Sequence, residues 1–242
     1  MTTIADIDSL LGRAPAEGGV SSSRIASDGT TMEASLWSVA PGARAAITVP
    51  ARSDGYWFVL KGTGSIADAE GQKQPVKPQV FAIAGQGSDV TLSNDGGEPL
   101  EFLYVISPPP GSQAEIAGYQ GGLKTIPAET VALAHEPENK KRRAFFVGPK
   151  ATPSGRAEGM IVHYEAETVT NPHFHPDADS LFVILEGALE FTNGRDLTTI
   201  RPGQAVFINQ GHRHGTRVTP GQSGAAFLEF HVPAKFQTIQ DP

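Results

Sequence analysis

Apolar and β-branched residues along this chain come in short runs broken by glycine and proline. Examples are Ile47-Thr48-Val49, Tyr56-Trp57-Phe58-Val59-Leu60, Phe102-Leu103-Tyr104-Val105-Ile106 and Ala144-Phe145-Phe146-Val147. Side chains alternate between the two faces of a strand. In the run Ser180-Leu181-Phe182-Val183-Ile184-Leu185, an inward Ser180 brings Phe182 and Ile184 to its own face and sends Leu181, Val183 and Leu185 to the other. Val206 and Ile208 likewise share one parity and Phe207 takes the other. Long helical periodicity is absent, and one short helix is expected over residues 4–11. Gly18-Gly19-Val20-Ser21-Ser22-Ser23 reads as loop or extended arm. With 27 glycines and 19 prolines as punctuation, the pattern predicts an all-β sandwich or barrel.

The chain also repeats itself. A single ungapped offset carries Trp57-Phe58-Val59-Leu60-Lys61-Gly62 onto Phe182-Val183-Ile184-Leu185-Glu186-Gly187. The same offset carries Asp54 onto Asp179, and Leu103-Tyr104-Val105-Ile106 onto Leu228-Glu229-Phe230-His231. Two tandem β-domains follow, over residues 32–107 and 156–235. Residues 1–31 are an N-terminal arm, 108–155 a linker with an extra strand (Ala144-Phe145-Phe146-Val147), and 236–242 a tail. The linker's Lys140-Lys141-Arg142-Arg143 reads as a solvated face, with anion binding as the alternative.

Composition removes several functions. A net charge of −7 argues against nucleic acid or an anionic membrane as the main partner. The absence of cysteine excludes disulfides, thiolate ligands and cysteine nucleophiles. No apolar run approaches the roughly 18 residues of a membrane span. No basic, apolar leader opens the chain. The expectation is a cytoplasmic protein that acts on a small molecule, with a homodimer possible through exchange of the linker strand.

The chemistry centres on histidine. His173-Phe174-His175 projects two imidazoles from one strand face, and His214 follows the turn at Arg201-Pro202-Gly203. Three neutral imidazoles gathered inside a β-barrel make a transition-metal site. His163 and His231, on neighbouring strands, are candidate acid/base groups. His212 shares the parity of His214, and His135 lies in the linker without a role.

The spacing resembles the two motifs of the cupin superfamily. The first motif is Gly, five residues, His-x-His, three or four residues, Glu, six residues, Gly. His173, His175 and Gly187 match it, with Glu167 at the opening glycine and Asp179 or Ser180 where glutamate is usual. The second motif is Gly, five residues, Pro-x-Gly, two residues, His, three residues, Asn. Gly203, Gly211 and His214 match it, with Asn209 and Val218 at the proline and asparagine. The resemblance implies two tandem cupin barrels of the double-stranded β-helix or jelly-roll type. It also implies one divalent transition-metal ion on His173, His175 and His214, iron first, with manganese, nickel or zinc as alternatives. In the first barrel the offset puts Thr48, Pro50 and Asp89 at the three histidine positions, so that barrel is expected to lack the metal.

Asp179 has two readings, as a fourth ligand or as an acceptor that orients a ligand or bound water. An inward Ser180 instead leaves a three-histidine face with up to three open positions, room for substrate and O₂ together. Strand alternation then makes the cavity mostly apolar, suited to an aromatic or diketone substrate. The favoured function is a metal-dependent dioxygenase-type oxidoreductase. The alternatives are a non-redox hydrolase, lyase or isomerase and a non-catalytic binding module. The layout of the former is similar to that of ureidoglycine aminohydrolase, whose motif begins Glu-x-His rather than His-x-His.

Overall fold

The computed structural model describes residues 1–13, 16–26, 31–194 and 196–240. It is an all-β chain in two compact units. One comprises residues 8–27 and 32–130, the other residues 1–7, 28–31 and 131–242. Among the described residues no helix is long and apolar enough to cross a membrane.

The N-terminal unit holds a seven-stranded sheet and a four-stranded sheet. The larger runs, in spatial order, Lys124–Pro127, Val80–Ala84, Asp54–Lys61, Leu100–Ser107, Glu33–Val39, Val20–Arg24 and Ala16–Glu17. The smaller runs Arg44–Thr48, Asp89–Ser93, Gly64–Ala67 and Lys73–Val76. Trp57, Phe102 and Tyr104 of the larger sheet share one core with Ile47, Ile66 and Leu92 of the smaller.

The C-terminal unit repeats this plan. Its seven-stranded sheet runs Thr2–Asp6, Gln204–Ile208, Asp179–Gly187, Gly224–Val232, Glu158–Glu165, Lys141–Val147 and Ala134–Glu136. The facing sheet runs Asp196–Ile200, Leu189–Asn193, His214–Val218, Val169–Phe174 and Ile239–Gln240. Met160, Phe182, Ile184 and Phe227 of one sheet pack on Leu189, Phe191, Ile200 and Val218 of the other. Each fully buried Phe stabilises such a core by roughly 1.5–3 kcal/mol.

One glycine pair shows the repeat in backbone terms. Gly62 and Gly187 occupy the same place at the end of the central strand, with φ of 77° and 69°. A Cβ at Gly62 would lie 2.4 Å from the Pro99 carbonyl oxygen, and one at Gly187 2.3 Å from that of Gly224. Only glycine satisfies both the left-handed backbone and the close approach.

Several expectations are corrected. The helix occupies Ile7–Arg13 rather than 4–11, because β-branched Thr2, Thr3 and Ile4 extend into a strand that pairs with Gln204–Ile208. The first residues of the presumed arm therefore belong to the C-terminal unit. Val20–Arg24, read as loop or extended arm, is a strand on Glu33–Val39. Parts of the linker are built into the two larger sheets: Lys124–Pro127 pairs with Val80–Ala84, and Lys141–Val147 with Glu158–Glu165. The presumed tail adds a short strand, Ile239–Gln240, on His173 and Phe174. Residues 14–15 and 27–30 of the arm and 241–242 of the tail lie outside the described residues.

Candidate metal centre

Strand pairing brings the histidines together. His173, on Val169–Phe174, sits directly across the ladder from His214, the first residue of His214–Val218. His175 follows one residue beyond the first strand. Ring centroids are 4.4 Å apart for His173 and His214, 5.0 Å for His173 and His175, and 5.4 Å for His175 and His214. One ring nitrogen from each lies within 4.8 Å of those of the other two.

Each ring is held by a backbone carbonyl. Nδ1–H of His173 donates to the Asn171 oxygen at 2.8 Å, that of His175 to Gln237 at 3.0 Å, and that of His214 to His212 at 3.0 Å. A carbonyl only accepts, so the proton belongs on Nδ1 and the lone pair on Nε2. Burial pushes all three imidazoles below their ordinary range, His175 to about 4 and His214 to about 3. They are therefore neutral at physiological pH. Nε2 of His175 and of His214 is buried without a hydrogen-bond partner. Buried polar atoms seldom stay unsatisfied. Three neutral, oriented imidazoles with unshared lone pairs form a donor set that fits a divalent transition-metal ion.

The histidines open on a cavity of about 220 Å³. Its walls follow the register of the larger sheet. Ser180, His231 and Glu158 form one cross-strand row, and Phe182, Glu229, Met160 and Phe145 the next. Directly opposed residues share a face, so this face extends to Arg143 opposite Val162 and to Lys141 opposite Tyr164. The expected apolar lining is thus corrected: Lys141, Arg143, Glu158, Glu229 and His231 all border the cavity. The apolar part of the lining is Met160, Phe182 and Phe236. Phe236 packs on His175 at 4.8 Å, and Phe191 stacks near-parallel on His214 at 6.2 Å.

The three candidate catalytic residues separate. His231 lies in the cavity wall. Its Nδ1 meets Ser180 Oγ at 2.9 Å and its Nε2 meets Glu229 Oε1 at 3.2 Å. Burial alone would raise the Glu229 carboxyl, but His231, Arg143 and Lys141 outweigh it and hold it down to about 2. His163 is on the opposite face of its strand from Met160 and Tyr164, near Arg142 and Glu186, and does not border the cavity. Asp179 also faces away from Ser180. It is fully buried, and Oδ2 accepts from the Thr31 N–H at 2.8 Å and the Thr31 hydroxyl at 2.9 Å. Its Oδ1 accepts from the Gln210 N–H at 3.1 Å. That carboxylate ties backbone together and is not in the histidine cluster, so the fourth-ligand reading is set aside.

Three contributors were missed from sequence. Lys141 and Arg143 belong to a basic run that reads as solvated. The available signal was alternation, since the run enters an apolar strand with Lys141, Arg143 and Phe145 on one parity. The third is the tail, whose Gln237 carbonyl orients His175 and whose Phe236, Thr238 and Gln240 border the cavity.

Comparison with known proteins agrees with this geometry. Residues 160–231 match the cupin domain family model. No curated protein sequence matches the chain. The fold is similar to that of a cupin 2 conserved barrel domain protein from Leptotrichia buccalis (TM-score 0.70, 16% identity, covering 95% of this chain and 96% of that one). It is also similar to protein Ylba from E. coli (TM-score 0.74, 11% identity, 97% and 91%). A third likeness is to oxalate decarboxylase from Lactobacillus farciminis (TM-score 0.69, 13% identity, 98% and 88%). Residues 160–231 match the cupin domain family, and the likeness of the whole chain to these solved structures is one of fold.

Proposed function

We propose that the C-terminal unit is a metal-dependent enzyme site for a small organic molecule and that its reaction is an oxygenation. The observation that carries this reading is the face of three neutral imidazoles, two of them with buried Nε2 atoms lacking partners, at the wall of a cavity. Asp179 is engaged elsewhere, and among the described residues the cluster holds three histidines without a carboxylate. A divalent ion held by His173, His175 and His214, iron first and manganese, nickel or zinc next, would supply Lewis acidity and, with iron, redox chemistry with O₂. The protein's own part is orientation and exclusion of water. The Asn171, Gln237 and His212 carbonyls fix the rings, while Phe182, Phe191 and Phe236 pack against them.

A second reading, a non-redox lyase or isomerase, is favoured by one specific observation. His231 and Glu229 form a hydrogen-bonded acid/base pair on the same cavity wall. Such a pair can hold or move a proton at a bound substrate. The likeness to oxalate decarboxylase is one of fold and carries no substrate to this chain.

Elemental analysis of tag-free protein, followed by O₂-uptake assays with β-diketones, catechols and thiols, tests both readings. Bound iron with substrate-dependent O₂ consumption supports oxygenation. Bound zinc, manganese or nickel with no O₂ uptake, but with solvent deuterium appearing in a substrate, moves the assignment to the second reading. Protein that takes up no metal after reconstitution overturns both.

A further inference from the structure

The cavity has a second recognition element besides the histidines. Lys141 and Arg143 alternate with Arg142 on one strand and so reach the cavity together. Both are half-buried. Lys141 Nζ donates to Thr170 Oγ1 at 2.8 Å and lies 5.0 Å from the Tyr164 ring centroid. It makes no ion pair among the described residues, and two of its three N–H groups remain for another acceptor. Arg143 gives one N–H to Glu136 at 2.8 Å, while its Nε is buried with no partner. This wall therefore keeps donors that its own hydrogen bonds leave unsatisfied, although Glu136 and Glu229 lie near both cations.

We propose that the cavity takes a small organic acid whose carboxylate docks on Lys141 and Arg143. The proposal rests on the reading of this cavity as the substrate site. Charge counting favours an anion. Three neutral imidazoles leave the charge of a bound divalent ion uncompensated. Even with Glu136, Glu158 and Glu229 all ionised, that ion together with Lys141 and Arg143 leaves the site positive. Burial moves Glu158 towards its neutral form, which increases the excess. The planar fork of Arg143 suits a carboxylate. Volume sets the size: 220 Å³ falls below the roughly 300–1,000 Å³ of pockets for drug-sized ligands. A compact acid is expected.

The probe is malonate, titrated calorimetrically into wild type, Lys141→Met and Arg143→Met, each metal-free and zinc-loaded. Malonamide, a neutral analogue, and inorganic phosphate are the controls. Zinc content is read separately, and circular dichroism checks folding. Wild type is expected to bind malonate and to reject malonamide. Each variant should bind malonate on the order of tenfold or more weakly while keeping its zinc. Lys141→Arg and Arg143→Lys should each keep part of the affinity, which guards against a folding defect in the corresponding Met variant. Equal malonate affinity in wild type and both variants overturns the proposal. So does malonamide binding as tightly as malonate, phosphate binding more tightly, or no malonate binding at all. If wild type takes up no metal, the enzyme reading fails and so does the charge argument; the metal-free titrations then test the Lys141 and Arg143 donors alone, and equal malonate affinity in wild type and both variants overturns the anion site.

Discussion

The two units share a strand order but fill their interiors differently. The offset that superposes the halves sets Trp57 against Phe182, Tyr104 against Glu229 and Ile106 against His231. In the N-terminal unit Trp57 and Tyr104 stack with centroids 4.9 Å apart, and both are buried in the core. Such a pair is worth about 0.5–1.5 kcal/mol beyond its buried area. In the C-terminal unit the same rows hold a phenyl ring, a carboxylate and an imidazole around open volume. Thr48 and Asp89, at two of the histidine positions, are exposed and hydrogen-bond to each other at 2.6 Å. All seven histidines of the chain lie in the C-terminal unit. The lesson is that a jelly-roll scaffold does not itself create a site. A few inward positions decide between a packed core and a polar cavity.

The sharpest way to break this contrast is to remove a ligand. His175→Ala and His214→Ala are expected to lose most of the bound metal, read by elemental analysis after reconstitution. Thr48→Ala should leave metal content unchanged. Full metal retention in either histidine variant would overturn the assignment of the centre.

The next effect is on stability, and it should appear in both units. Asp54 and Asp179 are equivalent and fully buried. Asp54 accepts from the Tyr119 N–H at 2.8 Å and the Tyr56 hydroxyl at 3.2 Å, while Asp179 holds Thr31 and Gln210. Replacing either by Ala leaves buried donors without acceptors, at about 1–3 kcal/mol for each. Each variant is expected to lose about 3 kcal/mol in urea unfolding, and Asp179→Ala should keep its metal. Loss of metal comparable to that of His175→Ala would return Asp179 to the ligand set.

The sequence made the repeat, the β class and the three-histidine cluster readable, because each is carried by local spacing. Parity and partners were harder. His163 and His231 look alike in sequence, each on an apolar strand. Only pairing shows that His231 shares a face with Ser180 while His163 takes the side opposite Tyr164. Lys141 and Arg143 were hidden for a related reason: alternation groups them with Phe145, but only pairing shows that this parity borders the cavity. Thr2–Asp6 and Ile239–Gln240 join their sheets through contacts remote in sequence, so local pattern could not place them. Asp179 was read as a candidate ligand because it neighbours the motif's glutamate position. Its backbone partners, Thr31 and Gln210, are not adjacent in sequence.

Acid should separate the units by a smaller, graded effect. In metal-free protein, burial holds His175 at about 4 and His214 at about 3, against about 6.5 in an unfolded chain. Between those values the unfolded state binds more protons than the folded state. Stability is then full above about pH 6.5 and falls as pH drops towards 4, by on the order of a few kcal/mol. The N-terminal unit has no histidine, so amide exchange there should change little over the same window. Equal loss of protection in both units would contradict the burial of these imidazoles in neutral form.

The smallest expected effect is a null result. Thr48→His, Pro50→His and Asp89→His combined would copy the three ligands onto the equivalent positions of the N-terminal unit. If three histidines on this scaffold suffice, the variant gains a second metal. The structure argues otherwise. In the C-terminal unit each Nδ1 is oriented by a carbonyl, and Phe236 and Gln237 from the end of the chain complete the setting of His175. In the N-terminal unit Trp57 and Tyr104 occupy the rows that elsewhere border the cavity. Outer partners of metal-bound histidines are commonly worth about 10–100-fold in affinity, and the graft supplies no designed replacement for them. Metal content should therefore stay at the wild-type level. A gain of one ion per chain would show that ligand identity alone, without the cavity and its carbonyl anchors, distinguishes the two units.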